Sequence, residues 1–451
     1  MHSDIHQLAG IGIGPFNLSL AALSAHVPDL RARFFDRQSA FAWHPGMMLD
    51  GTRMQTSFLK DLVTPVDPTS RYSFLAFLVA HGRFYRFLNA DFARARRTEF
   101  ARYMKWVAEQ LDNVEFGREV VDVRFEHGRF ELSFAGRPPF AAHNLAVGVG
   151  LEKHVPDWAR RHVSPRCIHS DAYLDAALAC QRRKVVVIGG GQSGLEIFLD
   201  LLAGAKGGAR EVTLVTRRKN LDPLDETAFT NEYFTPEYVR RFHVLPRARR
   251  AELARQQKMT GDGASPDTLR ELSQRLYEHD FLEVAGRPYQ ILPDREVVRM
   301  SEHGDGFELE MHNGFESTRE VIRADVVVLA TGYRYGVPRC LERLSPLLER
   351  EPSGELVLEQ DYRARWSGPS GNRIYMLNAG RLSHGVPDAQ LSLAAWRAAI
   401  IVNGLAGSAV YPVDAGDGPL RWHAPEGCVW STALRAGQAS SLTSAAAPTN
   451  T

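Results

Sequence analysis

Lys184–Glu196 reads KVVVIGGGQSGLE, and the reading of this stretch decides the fold. A short β-branched run, Val185 to Ile188, breaks into Gly189, Gly190 and Gly191, and Gly194 follows just ahead of an apolar helical pattern. That order predicts a buried strand, a tight turn and a helix start. In a dinucleotide fingerprint the first glycine makes the turn, the second admits a pyrophosphate to the backbone, and the third lets helix and strand pack closely. The phosphates sit on the helix N-terminus, where unpaired N–H groups and the helix dipole both favour negative charge. Gly189, Gly191, Gln192, Ser193 and Gly194 are therefore candidate cofactor contacts. A glycine turn without a nucleotide is the competing reading, and the strand and helix on its two sides argue against it.

A second fingerprint stands near the start of the chain. Leu8 to Ile13 is apolar and runs into Gly12, Ile13, Gly14, Pro15, Phe16 and Asn17, followed by LSLAAL. Asn17 occupies the place of the third glycine, where it costs close packing but can offer its amide to a ligand or a loop. The next strand, RFFD at Arg33 to Asp36, ends in an acid 24 residues beyond Gly12, where a carboxylate accepts from a ribose 2′-OH. A solvated strand end is the alternative for Asp36. Behind the central fingerprint the corresponding strand, EVTLVT at Glu211 to Thr216, ends instead in Arg217, Arg218 and Lys219. An acid there selects NAD, whereas arginine accommodates the extra phosphate of NADP. A solvated basic loop is the alternative.

Between these signals, Phe41 to Lys60 (FAWHPGMMLDGTRMQTSFLK) is irregular and rich in aromatic and Met side chains, either plugging a core or walling a cofactor. Lys60, beside Phe58, Leu59 and Leu62, must snorkel or meet an anion. Phe74 to Leu88 and Glu99 to Leu111 read as amphipathic helices, Val114 to Leu132 as a β-meander, and Asn144 to Gly150 as a strand ending in glycines. From Asn220 to Asp280 the β pattern gives way to a polar helical insertion, a usual place for a substrate cap. Strands resume at Ile291 to Pro293, Val297 to Met300 and Phe307 to Met311. ADVVVLATGY, Ala324 to Tyr333, is a buried strand stopped by Thr331 and Gly332, and Ile374 to Leu377 is one more strand before a glycine loop enters a helix. From Gly437 the Ala, Ser and Thr content predicts a disordered tail.

A chain of 451 residues exceeds one core, so two or three domains are expected. Lys plus Arg (54) nearly balances Asp plus Glu (53), which implies no large field for nucleic acid or an anionic membrane. The four cysteines, Cys167, Cys180, Cys340 and Cys428, show neither CxxC spacing nor paired histidines. They build no metal site or disulfide framework and fit a reducing cytoplasm. The N-terminus lacks a signal-peptide pattern and no apolar run reaches membrane-spanning length, so a soluble cytoplasmic protein is expected.

The fold class expected is α/β, with two Rossmann-like dinucleotide-binding domains and a small helical insertion. The acid behind the first turn and the arginines behind the second suggest FAD bound first and NADPH second, with hydride passing from nicotinamide to flavin. The residues leave the later fate of the electrons open between O₂ and a protein partner. A disulfide is removed by the missing Cys-x-x-Cys or Cys-x4-Cys. No nucleophile elbow or metal cluster supports a transferase or hydrolase.

GIGPFNLSLAAL, WHPGMMLD, MQTSFLKDLVTPVDPTSRYSFL, GGGQSGLEIF, LDETAFTNEYFTPEY, ATGY and HGVPDAQLSLAAWR together resemble the lysine/ornithine N-monooxygenase family, flavoenzymes of siderophore biosynthesis. The resemblance spans residues 5 to 405 in order and is closest to the branch of the aerobactin lysine hydroxylase and the alcaligin-type putrescine hydroxylase. It implies an FAD domain from 1–165 and 335–430, an NADPH domain from 166–220 and 281–334, and a substrate-binding insertion at 221–280. It also implies N-hydroxylation of the terminal amine of a small aliphatic substrate, with O₂ as co-substrate. A homo-oligomer, by analogy a tetramer, is implied on the same ground.

Carried over by motif, Trp43, His44, Met54, Gln55, Thr331, Gly332 and Tyr333 belong to the cofactor walls. Gln55 lies near flavin and nicotinamide, and Lys60 and Asn231 hold the far end of the substrate. Arg217 and Arg218 hold the 2′-phosphate. His384, Gly385, Asp388 and Leu391 lie by the flavin ring and the reacting amine. Gln55, Asn231 and His384 are the candidate catalytic residues. Where ornithine-type enzymes carry an Asn-Tyr pair after a Thr, this chain has Thr260, Gly261 and Asp262. Asp262 could meet the second ammonium of a diamine, while Lys60 argues for a carboxylate. The balance leans slightly to a diamine such as putrescine, cadaverine included, with L-lysine close behind and L-ornithine next. A flavoprotein electron carrier and a monooxygenase acting on carbon or sulfur are the alternatives of other kinds; neither has use for MQTSFLKDL.

Overall fold

The computed structural model describes residues 5–178, 180–283, 288–414, 416 and 418–424. Residues 1–415 form one compact unit and 416–451 a second. The expected tail from Gly437, and Cys428, lie outside the described residues.

The first fingerprint sits in a sheet whose parallel strands run Val114–Glu115, Ala32–Phe35, His6–Ile11, Arg137–Val147 and Ile374–Met376. The first half of Arg137–Val147 also pairs antiparallel with Arg129–Phe134, which pairs with Val120–Glu126, giving the expected meander. Strands from both ends of the chain thus share one sheet. Its middle strands read as continuous apolar runs because both faces are covered. Helices Pro15–Ser24, Arg97–Gln110 and Ala394–Ala406 cover one face with an aromatic cluster of Phe74, Phe77, Phe100 and Tyr103. Segments between Cys340 and Ala364 cover the other.

The central fingerprint sits in a second, all-parallel sheet ordered Tyr289–Leu292, Glu211–Val215, Lys184–Ile188, Val326–Leu329 and Cys167–His169. Helix Gln192–Leu202 packs on one face. An antiparallel meander, Arg295–His303, Gly306–Asn313 and Thr318–Ala324, packs on the other. Between Glu211–Val215 and Tyr289–Leu292 the chain leaves the sheet for helices Pro236–His243, Arg247–Gln256 and Pro266–Phe281, the polar insertion read from the sequence.

Two expectations change. Phe74 to Leu88 is two helices, Phe74–Ala80 and Phe84–Asn89, because Gly82 takes φ +64° between them and ends the first in a left-handed turn. The boundary expected at 165 lies earlier. The chain crosses between the two sheets at a short ribbon pairing Glu152–Lys153 with Tyr333–Arg334, after which Val155, Trp158 and Ala159 already pack into the second core. No helix among the described residues is long and apolar enough to cross a membrane.

Candidate active site

Both glycine turns have the shape that phosphate binding requires. Gly12 takes φ +83°, and a Cβ there would lie 2.7 Å from the Gly148 carbonyl oxygen. At Gly14, by contrast, a Cβ would meet only that oxygen at 3.6 Å. In the central turn a Cβ on Gly189 would strike Ala330 O at 2.1 Å and one on Gly194 would strike Gly189 O at 1.8 Å, so both are needed for packing. The middle glycine, Gly191, is open, with Asp262 O at 4.0 Å as its nearest neighbour. The helices behind the turns start at Gly14 and Gly191 with no side-chain cap and no acid in the first turn. Ser73, Thr235 and Ser265 cap three other helices, whereas Arg97–Gln110, Arg247–Gln256 and Ala394–Ala406 also start without a side-chain cap. What sets these two half-buried starts apart is the open glycine turn ahead of each, which leaves room for an anion to take the free N–H groups.

Asn17 is fully buried, and its Oδ1 has no hydrogen-bond partner among the described residues. Its Nδ2 donates to the carbonyls of Ile11 (3.2 Å), Gly12 (2.7 Å) and Ala146 (3.1 Å), tying the turn to the neighbouring strand. Asp36 ends its strand as expected and steadies the same turn, accepting from Ile13 N–H at 2.7 Å and Gln38 N–H at 2.8 Å. A carboxylate has acceptor sites left for a ribose hydroxyl.

The two arginines behind the second turn diverge. Arg218 donates through Nη2 to the Asp262 carbonyl at 2.7 Å, above Gly191, and its buried Nη1 has no partner among the described residues. Arg217 is exposed and, with Arg334 and Arg160, helps burial hold the His154 imidazole below its ordinary range. Pro15 occupies the first turn of its helix, and Ser193 lies half-buried in the first turn of the second. The Gln192 side chain is not available to a cofactor: its Nε2 donates to Glu196 (2.7 Å) and Thr268 (2.8 Å), and its Oε1 accepts from Ser265 N–H (2.7 Å). Thr331 likewise spends its hydroxyl on the His154 carbonyl, while Gly332, at φ +77°, receives the His169 ring at 3.0 Å. Tyr333, its phenol pushed up to about 12 by burial and Asp171, stands 6.2 Å from the His44 ring. His44 itself is left-handed at φ +46°, and burial, then Arg97, lowers its pKa.

The irregular segment 41–60 is a wall, with Trp43 and Phe58 packing against the first core and Met54 buried in it. Gln55 is half-buried, and its amide makes no hydrogen bond among the described residues. Lys60 is half-buried too, with no ion pair for its ammonium among the described residues. Burial lowers its pKa, and Glu232 partly opposes the shift. The loop that presents it is locked by Asp61, which the sequence reading missed. That buried carboxylate accepts from Val63 N–H (2.9 Å), Thr64 N–H (2.7 Å), Thr64 Oγ1 (2.8 Å) and Phe74 N–H (2.6 Å). Burial pushes the Asp61 pKa up against these bonds. An acid amid Phe58, Leu59, Leu62 and Val63 was the available signal. Asn231 is exposed on the insertion, next to Glu232.

The C-terminal motif places two of the site residues read from the sequence, His384 and Asp388, in its buried packing. His384 is 0% exposed, stacked on Tyr362 at 4.0 Å, with Nδ1 at 2.8 Å from Ser383 Oγ and Nε2 at 3.3 Å from Gln360 O. Burial, then His243, holds it well below the ordinary imidazole range, and its ring packs the loop. Asp388 is also buried, bound to Gly380 N–H at 2.6 Å and paired with Arg397 at 3.3 Å, and so it positions the loop. Burial raises the Asp388 carboxyl, and Arg397 opposes that. Arg397 was missed; its signal was a lone charge in the apolar run AAWRAAII. Leu391 remains half-buried beside the first core. Asp262 is already compensated, with Lys258 at 3.9 Å and Arg381 at 3.8 Å from its carboxylate, so it does not offer an unpaired acid to a second ammonium.

Two uncapped helix starts on glycine turns, one followed by an acid and the other by an arginine with an unpartnered Nη1, fit FAD and NADPH and define a two-nucleotide flavin oxidoreductase. Residues 4–335 match the family model for L-lysine 6-monooxygenase/L-ornithine 5-monooxygenase. The L-lysine N6-monooxygenase of Escherichia coli is 39% identical over 92% of this chain and 97% of its own. The putrescine N-hydroxylase of Shewanella oneidensis is 32% identical over 91% and 82%. Among solved structures, the FAD-bound cadaverine monooxygenase of Erwinia amylovora superposes with a TM-score of 0.87, 30% identity and coverage of 94% and 99%. The chain belongs to the lysine/ornithine N-monooxygenase family and is a flavin-dependent N-monooxygenase of the siderophore-biosynthesis type, using FAD and NADPH. No group of three or more His, Cys, Asp or Glu residues that could hold a metal occurs among the described residues.

Proposed function

We propose that the chain hydroxylates the terminal amine of L-lysine with NADPH and O₂, an early step of hydroxamate siderophore assembly, and accepts cadaverine and putrescine poorly. The choice of amine rests on one observation, the half-buried Lys60 ammonium that lacks an ion pair among the described residues. The α-carboxylate of lysine supplies the missing anion. A diamine brings a second cation to the same place, which Lys60 repels. The case for a diamine rested on Asp262, and Lys258 and Arg381 already compensate that acid. Putrescine remains the second reading, favoured by relatives that bear the name putrescine N-hydroxylase.

In this reading Lys60 and Asn231 grip the amino-acid end, while Gln55 and Leu391 border the reacting amine beside the flavin. Arg218, with Arg217 at the outer edge, takes the 2′-phosphate. The flavin supplies the oxygen-activating chemistry when bound. The protein's task is to present a neutral amine, since an alkylamine of reference pKa about 10.4 is almost wholly protonated at neutral pH. A dry, wall-lined site favours the uncharged form.

Lys60→Met, assayed with L-lysine and with cadaverine, which is lysine without its carboxylate, tests the proposal. A charge-assisted hydrogen bond is worth about 1.5–3 kcal/mol, so KM for lysine should rise about tenfold to a hundredfold while KM for cadaverine does not rise. An equal response to both amines would remove Lys60 from the substrate site.

A further inference from the structure

Helix Gln192–Leu202 carries a largely buried ion pair, its Glu196 buried and its Arg97 half-buried, that no nucleotide contact explains. Glu196, on its second turn, receives two hydrogen bonds from Arg97, Nη1 to Oε2 at 2.9 Å and Nη2 to Oε1 at 2.8 Å. The two side chains are 17% and 5% exposed. Arg97 begins the helix Arg97–Gln110 of the first domain, and its N–H donates to Thr52 O while Met54 N–H donates to Ala95 O. The loop bearing Met54 and Gln55 is therefore pinned to the residues around Arg97. On the far side, Gln192 passes the connection from Glu196 to Ser265 and Thr268, the cap of the insertion helix Pro266–Phe281. One carboxylate thus gathers the loop on the flavin side, the helix whose start faces the second nucleotide, and the substrate insertion.

A buried ion pair is a poor device for stability, because desolvation of both ions offsets most of their attraction. Its best-attested use is to fix one arrangement among several of similar energy. We propose that Arg97, Glu196 and Gln192 form a latch that sets the NADPH-binding helix against the flavin-side loop, and that they are positioning residues for hydride transfer from NADPH to FAD. The step itself is the family's own. A hydride leaves the nicotinamide, which is oxidised to NADP⁺, and a solvent proton completes reduction of the flavin. The latch touches neither reactant; it fixes the approach on which the transfer rate depends, since a misplacement of about 1 Å can cost about a hundredfold.

The test is stopped-flow reduction of the FAD-loaded enzyme by saturating NADPH in Arg97→Met/Glu196→Met, an apolar pair of similar volume that such sites often tolerate without loss of stability. With FAD content and Tm unchanged, the limiting rate of flavin reduction should fall at least tenfold while the Kd for NADPH changes little. A role confined to stability would move Tm and leave that rate alone, so a wild-type limiting rate overturns the proposal. Gln192→Ala keeps both ions and removes the Gln192 bonds to Glu196, Ser265 and Thr268 that tie the pair to the insertion, which leaves the question answerable if the double variant does not fold. It too should slow the limiting rate, and wild-type reduction by folded Gln192→Ala would refute the three-part latch.

Discussion

Lys60 and Asp61 stand side by side and divide the labour of the substrate loop. Asp61 spends its carboxylate on three backbone N–H groups and a hydroxyl, and Lys60 is left with an ammonium that the protein does not pair among the described residues. The lowered pKa of Lys60 has a testable sign. A lysine whose pKa is depressed loses its charge at lower pH than the reference of about 10.4, so its hold on a carboxylate exists below that depressed pKa and is lost as pH rises through it. Meanwhile the substrate amine becomes more reactive as it loses its own proton. The pH profile of kcat/KM should therefore rise and then fall for L-lysine, the fall lying below about pH 10.4. Cadaverine, or lysine with Lys60→Met, should show the rise alone. An alkaline fall that survives Lys60→Met would assign it to another group. At the other nucleotide, Arg218→Ala should raise KM for NADPH about tenfold or more, from the loss of a charged hydrogen bond, with little change in KM for the amine. Steady-state kinetics with NADPH and NADH would show the two coenzymes drawing level.

Each glycine of the central turn does a separate job, and substitution should separate them. Gly191→Ala places a methyl in open space 4.0 Å from its nearest neighbour, in an extended backbone that alanine adopts freely. The variant should fold with a Tm near that of the wild type and bind NADPH about tenfold or more weakly, because the methyl fills the phosphate's approach. Gly194→Ala instead drives a methyl to 1.8 Å from a backbone oxygen and should lower Tm or prevent folding. Thermal melts with coenzyme titration distinguish the two. Much of this was legible in the sequence, since strand, turn and helix follow one another within Lys184–Glu196. Where the sequence did not show a polar side chain's partners, the cause is a common one. Gln192, Thr331, His384 and Asp388 all sit in binding motifs, yet their polar atoms go to other protein groups, distant in sequence for Gln192 and Thr331 and within the same C-terminal segment for Asp388. Spacing along the chain reports what lies near a site. It does not report which way a side chain turns once distant segments offer it a partner.

At the scale of the whole molecule, the two sheets meet where the chain crosses between them twice, in the ribbon of Glu152–Lys153 and Tyr333–Arg334. The sequence indicated two nucleotide domains and a helical insertion, but not that Val155 to Ala159 would already pack into the second core, because a short apolar stretch beside a ribbon carries no period. Nor did it show that Arg97 and Glu196, 99 positions apart, meet as a bidentate pair. Each nucleotide binds the folded chain and not the unfolded one, so each should stabilise the native state. FAD at a hundred times its Kd should add about 2.7 kcal/mol, read as a rise in Tm on loading the apoprotein. The most direct test of the account as a whole is hydroxylamine formation by the FAD-loaded protein with NADPH and air, run in parallel on L-lysine, L-ornithine, cadaverine and putrescine with NADPH consumption recorded beside it. The account predicts hydroxylated lysine in step with NADPH, at a kcat/KM at least tenfold above that of either diamine. Preferential turnover of putrescine or cadaverine would contradict the role given to Lys60, and NADPH oxidation yielding only peroxide with all four amines would contradict the substrate class itself.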